Sequence, residues 1–237
     1  MTPKRFIGAN WKMNPPPQGF DAKDSAFRAS TTVDVTVFPS CTDIAVCVRS
    51  GLTTGGQYGR AEDCGAFTGD VSMQQLKTAG CTSVLCGHSE RRFHHEESDE
   101  CVGKQVLSAL KTGLTAILCI GENADERELG STNDVLERQL TAALKIAGKS
   151  VTPQNFLVAY EPVWAIGTGN TPKPADVETT HAFIRSLLPS PEIRIIYGGS
   201  VTAKNAASFF ALKNVDGALV GGASLKPEEF AGIVNAA

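Results

Sequence analysis

Lys12, His88 and Glu161 each lie just beyond a short, apolar, β-prone run, the position at which a strand of a parallel sheet presents a side chain at the sheet's mouth. Glu161 follows the apolar segment 156–160 and leads through Pro162 into Val163, Trp164, Ala165 and Ile166, with Gly167 and Gly169 beyond. A carboxylate so placed could act as a base, and the apolar, glycine-ended loop could be a lid that excludes water. The same glutamate in a salt bridge would merely cap the strand. Lys12, in Asn10-Trp11-Lys12, could point a fixed positive charge into that mouth or sit solvated on the surface. His88, in Gly87-His88-Ser89-Glu90-Arg91-Arg92, could polarise a carbonyl, pass a proton, or satisfy a nearby carbonyl oxygen. Glu90, Arg91 and Arg92 also read as an ion-pair cluster.

Two glycine pairs add a second kind of chemistry. Gly198-Gly199 leads to Ser200 and Gly221-Gly222 to Ala223, each after an apolar run. One such pair is a tight turn; two on neighbouring strands can turn backbone N–H groups on an anion such as phosphate.

The elements that must position these groups recur about every thirty residues. Strand-like segments fall at 5–9, 33–38, 52–56, 83–87, 115–120, 156–160, 193–197 and 217–220, the third being weak. Amphipathic stretches at 98–112, 132–147 and 175–188 read as helices, and Thr202 and Lys226-Pro227-Glu228 as the starts of two more. This alternation, with no Pro/Gly/Ser-rich linker, predicts an α/β fold: one (β/α)8 barrel of eight parallel strands spanning 1–237 as a single domain. An open doubly wound sheet is the alternative, disfavoured because no G-x-G-x-x-G follows the first strand.

The net charge of -3 and pI near 5.8 argue against general attraction to nucleic acid or anionic membrane, so any grip on phosphate must be local. No run has the apolar core of a signal peptide or the length of a membrane span, which points to the cytoplasm. Seven cysteines, an odd set without a C-x-x-C pair, read as reduced thiols that mostly fill the core. His94 and His95 are adjacent and cannot ligate one ion from a shared helix face, so no metal is expected.

The ordered motifs Asn10-Trp11-Lys12-Met13-Asn14, Gly65-Ala66-Phe67-Thr68-Gly69, 87–92, Cys119-Ile120-Gly121-Glu122, 160–169, Tyr197-Gly198-Gly199-Ser200 and 219–225 together resemble the triosephosphate isomerase family along most of the chain. A glutamate base, a neutral electrophilic histidine and a closing loop are established properties of that family. The resemblance implies that Glu161 removes a proton beside the substrate carbonyl and returns it at the neighbouring carbon. By the same carry-over His88 hydrogen-bonds the enediolate, Lys12 stabilises its charge, Asn10 orients its oxygens, and Glu90 lies beside Lys12 and the substrate. Gly167, Ser200, Gly221 and Gly222 would bind the phosphate through backbone N–H groups. Pro162, Trp164, Thr168 and Tyr197 would belong to the lid and its contacts. No cofactor is implied. Thr68 corresponds to a residue that reaches into the neighbouring subunit, which implies a homodimer through the 65–69 loop.

The chain departs from the family pattern in four places. The segment from Asn14 to Val33 is short and carries Pro15-Pro16-Pro17. Gly55-Gly56-Gln57-Tyr58 replaces the usual run at the third strand, a change that bears on assembly. Glu97 is expected where a glycine is usual, and Pro172 would stiffen the far hinge of the lid. A Schiff-base aldolase would instead need a lysine at an apolar barrel position, where strand six ends in Glu161. An inactive barrel would have little reason to keep Lys12, His88 and Glu161 together.

Overall fold

The computed structural model describes residues 4–166 and 171–237. Its eight strands are β1 (Arg5–Asn10), β2 (Val33–Phe38), β3 (Gly55–Gly56), β4 (Ser83–Cys86), β5 (Thr115–Ile120), β6 (Phe156–Tyr160), β7 (Arg194–Tyr197) and β8 (Gly217–Val220). They form one sheet in the order β2-β1-β8-β7-β6-β5-β4-β3, and every pairing is parallel. A single parallel bridge, Val37 to Thr54, brings the two edges together, so the sheet is a nearly closed barrel. The predicted barrel is the observed architecture.

The helices are α1 (Ile44–Arg49), α2 (Met73–Thr78), α3 (Ser89–His94), α4 (Asp99–Lys111), α5 (Ala124–Glu128), α6 (Thr132–Ala147), α7 (Pro174–Leu187), α8 (Ala206–Phe210) and α9 (Pro227–Asn235). The long amphipathic helices fall where the periodicity put them, because their apolar stripes have a sheet to cover. Val102, Val106, Leu136 and Leu140 are all buried in that layer. Pro174 and Pro227 occupy first-turn positions of α7 and α9, where no N–H is needed. Thr202 does not begin a helix. Its hydroxyl accepts from Asn205 N–H at 3.3 Å within a turn, and α8 starts only at Ala206.

Two elements deviate from the regular alternation. β3 is reduced to two glycines, and a Cβ on Gly55 would lie 2.3 Å from the Phe38 ring and 2.6 Å from Ser83 Oγ. Phe38 therefore fills the space that a third-strand side chain would take. The first crossover, 11–32, contains no helix. Turns that follow the proline run replace it, anchored by aromatic packing: Trp11 meets Phe20 and Phe27 edge-on, and Phe27 stacks on Phe230 of α9 at 4.7 Å.

A second, smaller apolar cluster fills the barrel: Phe6, Phe38, Leu85, Ile117, Leu157, Ile196 and Leu219 among others. It plugs the interior, so the polar chemistry is confined to the carboxyl ends of the strands. No described helix is long and apolar enough to cross a membrane.

Candidate active site

Glu161 is buried directly beyond β6, with its N–H donating to the Ile120 carbonyl of β5 at 2.8 Å. Its neighbours are glycines for steric reasons. A Cβ on Gly121 would stand 1.7 Å from the Glu161 carbonyl oxygen, and one on Gly198 would stand 2.9 Å from Glu161 Cγ. Gly198, read from sequence as part of an anion turn, therefore makes room for the carboxylate. Glu161 Oε2 accepts from the Ser89 N–H at 2.9 Å, and Oε1 lies 3.0 Å from His88 Nε2.

His88 is the N-cap of α3. Its Nδ1 accepts the Glu90 N–H at 3.2 Å. A ring nitrogen that accepts an amide hydrogen carries none itself, so the proton resides on Nε2 and is directed at Glu161. The same assignment disposes of an ion pair between His88 Nδ1 and Glu90 Oε2, which are 3.8 Å apart. Sequence pattern located His88 at the strand end; the capping bond that fixes its tautomer comes from the turn of α3.

Lys12 has φ +52, a left-handed conformation that costs a non-glycine residue about 1–2 kcal/mol. Two neighbours hold it there. Asn10 Oδ1 accepts the Lys12 N–H at 3.1 Å, and the Gln57 amide donates to the Lys12 carbonyl at 2.8 Å and the Phe38 carbonyl at 2.9 Å. The Lys12 ammonium is ion-paired with Glu90. Burial pushes the Glu90 carboxyl up, but the hydrogen bond and the charge of Lys12 act against it, and the net shift is downward. Glu90 is thus held as an anion that offsets part of the lysine's charge at rest.

These groups face one cavity of about 320 Å³. Asn10, Lys12, His88 and Glu161 line it together with Ser200, Gly221 and Gly222, and a Cβ on Gly221 would lie 3.5 Å from Lys12 Cε. Ile166, of the loop read as a lid, and Leu219 line it as well; Leu219 was given no role of its own from the sequence, since an apolar residue carries no chemical signal. Gln57 and Ser89 were missed for a different reason: their roles arise from meeting residues distant in sequence.

Pro162 precedes a single helical turn, Val163–Ala165. The Val163 N–H donates to the Glu122 carbonyl at 3.1 Å, the Trp164 indole to Glu122 Oε1 at 2.9 Å, and the Arg127 guanidinium lies 4.2 Å from the Trp164 ring centre. Burial raises the Glu122 carboxyl above its ordinary range, although the Trp164 and Tyr160 bonds act against it. Tyr197 is buried, and its hydroxyl has no hydrogen-bond partner among the described residues. Pro172 is buried. Gly167 and Thr168 lie outside the described residues. Thr68 is exposed on the loop after β3 and does not line the cavity.

The arrangement joins a buried carboxylate, a neutral imidazole, an ammonium and two glycine turns around a space for a small anionic molecule. Comparison with known proteins accords with it. A family model described as triosephosphate isomerase matches residues 5–237. A triosephosphate isomerase of Bradyrhizobium diazoefficiens is 44% identical over 96% of this chain and 95% of its own length. One from Nitratidesulfovibrio vulgaris is 42% identical over 98% and 99%, and one from Rhizobium etli is 41% identical over 100% and 98%. The chain belongs to the triosephosphate isomerase family, a family of isomerases.

Proposed function

We propose that this member of the triosephosphate isomerase family interconverts glycerone phosphate and D-glyceraldehyde 3-phosphate, a step of glycolysis and gluconeogenesis, by enediolate proton transfer. The observation that carries the proposal is the convergence of Glu161, His88 and Lys12 on one cavity that the Ser200 and Gly221-Gly222 turns also line. Glu161 takes the proton from the carbon beside the carbonyl. A carboxylate is a weak base for a carbon acid, so the negative oxygen formed must be stabilised in a site closed to water. His88 Nε2–H and the Lys12 ammonium are the donors for that oxygen, and Asn10 orients it. At rest, Nε2–H is spent on Glu161 and Lys12 on Glu90. Substrate therefore exchanges partners with groups already in place.

Backbone N–H groups of Gly167, Ser200, Gly221 and Gly222 take the phosphate, and the segment that begins at Pro162 and Trp164 closes over it with Thr168 and Tyr197. The enzyme needs no cofactor and works in the cytoplasm as one domain. A coupled assay on the purified protein tests the activity. Glu161→Gln is expected to lower kcat by at least about 10²-fold, the usual scale for a general acid or base. Near-normal turnover in that variant would remove Glu161 from the role of base. No turnover in well-folded wild-type protein would instead favour an inactive barrel.

The protein assembles as a homodimer through the 65–69 loop, with Thr68 directed at the neighbouring active site. Support comes from the family resemblance and from the exposure of that whole loop. Light scattering across a dilution series measures it, and a fully active monomer would contradict the role of Thr68.

A further inference from the structure

Residues 61–70 leave the body of the molecule with almost no support from its core. Arg60 and Ser72 form an isolated parallel bridge at the base, where the Arg60 N–H donates to the Val71 carbonyl at 2.8 Å. Every residue from 62 to 70 is exposed. An exposed loop gains little from burial, and chain entropy favours many shapes for it. One side chain gathers this one. Arg60 Nη1 pairs with Asp70 Oδ2 at 2.6 Å, Nε faces Glu62 Oε2 at 2.9 Å, and the guanidinium lies 3.6 Å from the centre of the Phe67 ring. The beginning, tip and end of the loop thus meet on one planar group, whose edge pairs with carboxylates while its face stacks on a ring. The Asp70 N–H donates to the Phe67 carbonyl at 3.0 Å and tightens the tip.

We infer that Arg60 holds this loop in its docking shape before it meets a second copy of this chain. The inference rests on the homodimer reading above and adds the residue that controls it. The chain carries both halves of the required contact. Phe67 and Met13 are two of the four large hydrophobic side chains exposed among the described residues. Phe67 is on the loop. Met13 lines an adjoining open cavity of about 590 Å³, which shares Asn10, Lys12 and His88 with the active-site cavity and also takes in Glu90. Arg91, stacked 3.5 Å from the Tyr58 ring centre, forms part of that cavity's wall. A protruding apolar tip and an apolar-rimmed hollow on one surface are what a two-fold, self-complementary interface uses twice. A loop ordered beforehand loses less entropy on docking, so the clasp strengthens association without contributing a contact of its own.

The test compares the full-length wild type, Arg60→Ala and Arg60→Lys by light scattering over a dilution series, with circular dichroism as the check on folding. Arg60→Ala is expected to weaken dimerisation by at least roughly tenfold while the spectrum stays native, because loss of preorganisation acts on association rather than on the core. Arg60→Lys keeps the charge but not the planar fork and should fall between. Arg60→Ala dimers as tight as wild type would overturn the role of Arg60. A wild type that is monomeric at every concentration would overturn the dimer reading instead. Should Arg60→Ala lose its native spectrum, Arg60→Lys decides by the same criterion.

Discussion

Lys12 and Glu96 are the two non-glycine residues in the left-handed region among the described residues, at φ +52 and +53. At Lys12 the strain sets a charge in the mouth of the barrel, and Asn10 and Gln57 hold it. Glu96 serves no such end. It turns the chain between α3 and α4, is exposed, and is the residue in the strained conformation, whereas the sequence had pointed to Glu97. Glu97 is instead buried and paired with Arg91 at 2.6 Å. Glu96→Gly should therefore raise the unfolding free energy by up to about 1 kcal/mol, the left-handed cost less the added chain entropy, with kcat unchanged. Urea denaturation measures it, and a loss of stability would mean that the Glu96 side chain contributes something the backbone geometry does not reveal. Charges at strand ends were legible in the sequence because they form a local pattern. The backbone state of Lys12 was not, since no residue type announces it. Nor was Gln57, whose partners Lys12 and Phe38 lie 45 and 19 residues away.

Among the elements, strands such as β5 and β6 were plain because continuous apolar runs suit a strand buried on both faces. β3 was faint because its glycines leave the packing to Phe38. The proline run foretold that the first crossover would depart from the pattern, but not what would take the helix's place. The replacement has no periodicity to read: it consists of Phe20 and Phe27 against Trp11, with Phe230 arriving from α9. Phe27 is wholly buried between two aromatic partners. Its removal leaves a cavity that turns without a helical frame can only partly refill. Phe27→Ala should cost about 3 kcal/mol, seen as a lower denaturation midpoint at an unchanged m-value. A cost below 1 kcal/mol would show that the turns collapse freely into the space.

Across the whole molecule, one buried histidine couples stability to pH. His181 of α7 is inaccessible, with Nδ1 3.0 Å from the Asn214 carbonyl and its ring edge-on to Tyr160. Burial lowers its pKa from 6.5 to about 4, with a smaller opposing effect from the Asn214 bond. The unfolded chain takes up this proton near pH 6.5, whereas the folded protein resists it until about pH 4. The stabilisation is therefore intact above 6.5 and is lost as the pH falls through that interval, by a total on the order of 3 kcal/mol. Urea titrations at several pH values should show this slope, and His181→Gln should flatten it; an equally steep slope in the variant would assign the effect to other groups. The Arg5 guanidinium donates to the carbonyls of Phe210 and Ala237, the latter 232 residues along the chain, and β1 lies between β2 and β8. During synthesis β1 is made first yet lacks one of its neighbours until β8 follows, and the packing on Phe27 waits for α9. The ring thus closes late. Until it does, the growing chain carries two bare strand edges, and that interval, more than any weakness of the finished barrel, is when it is most exposed to mispairing.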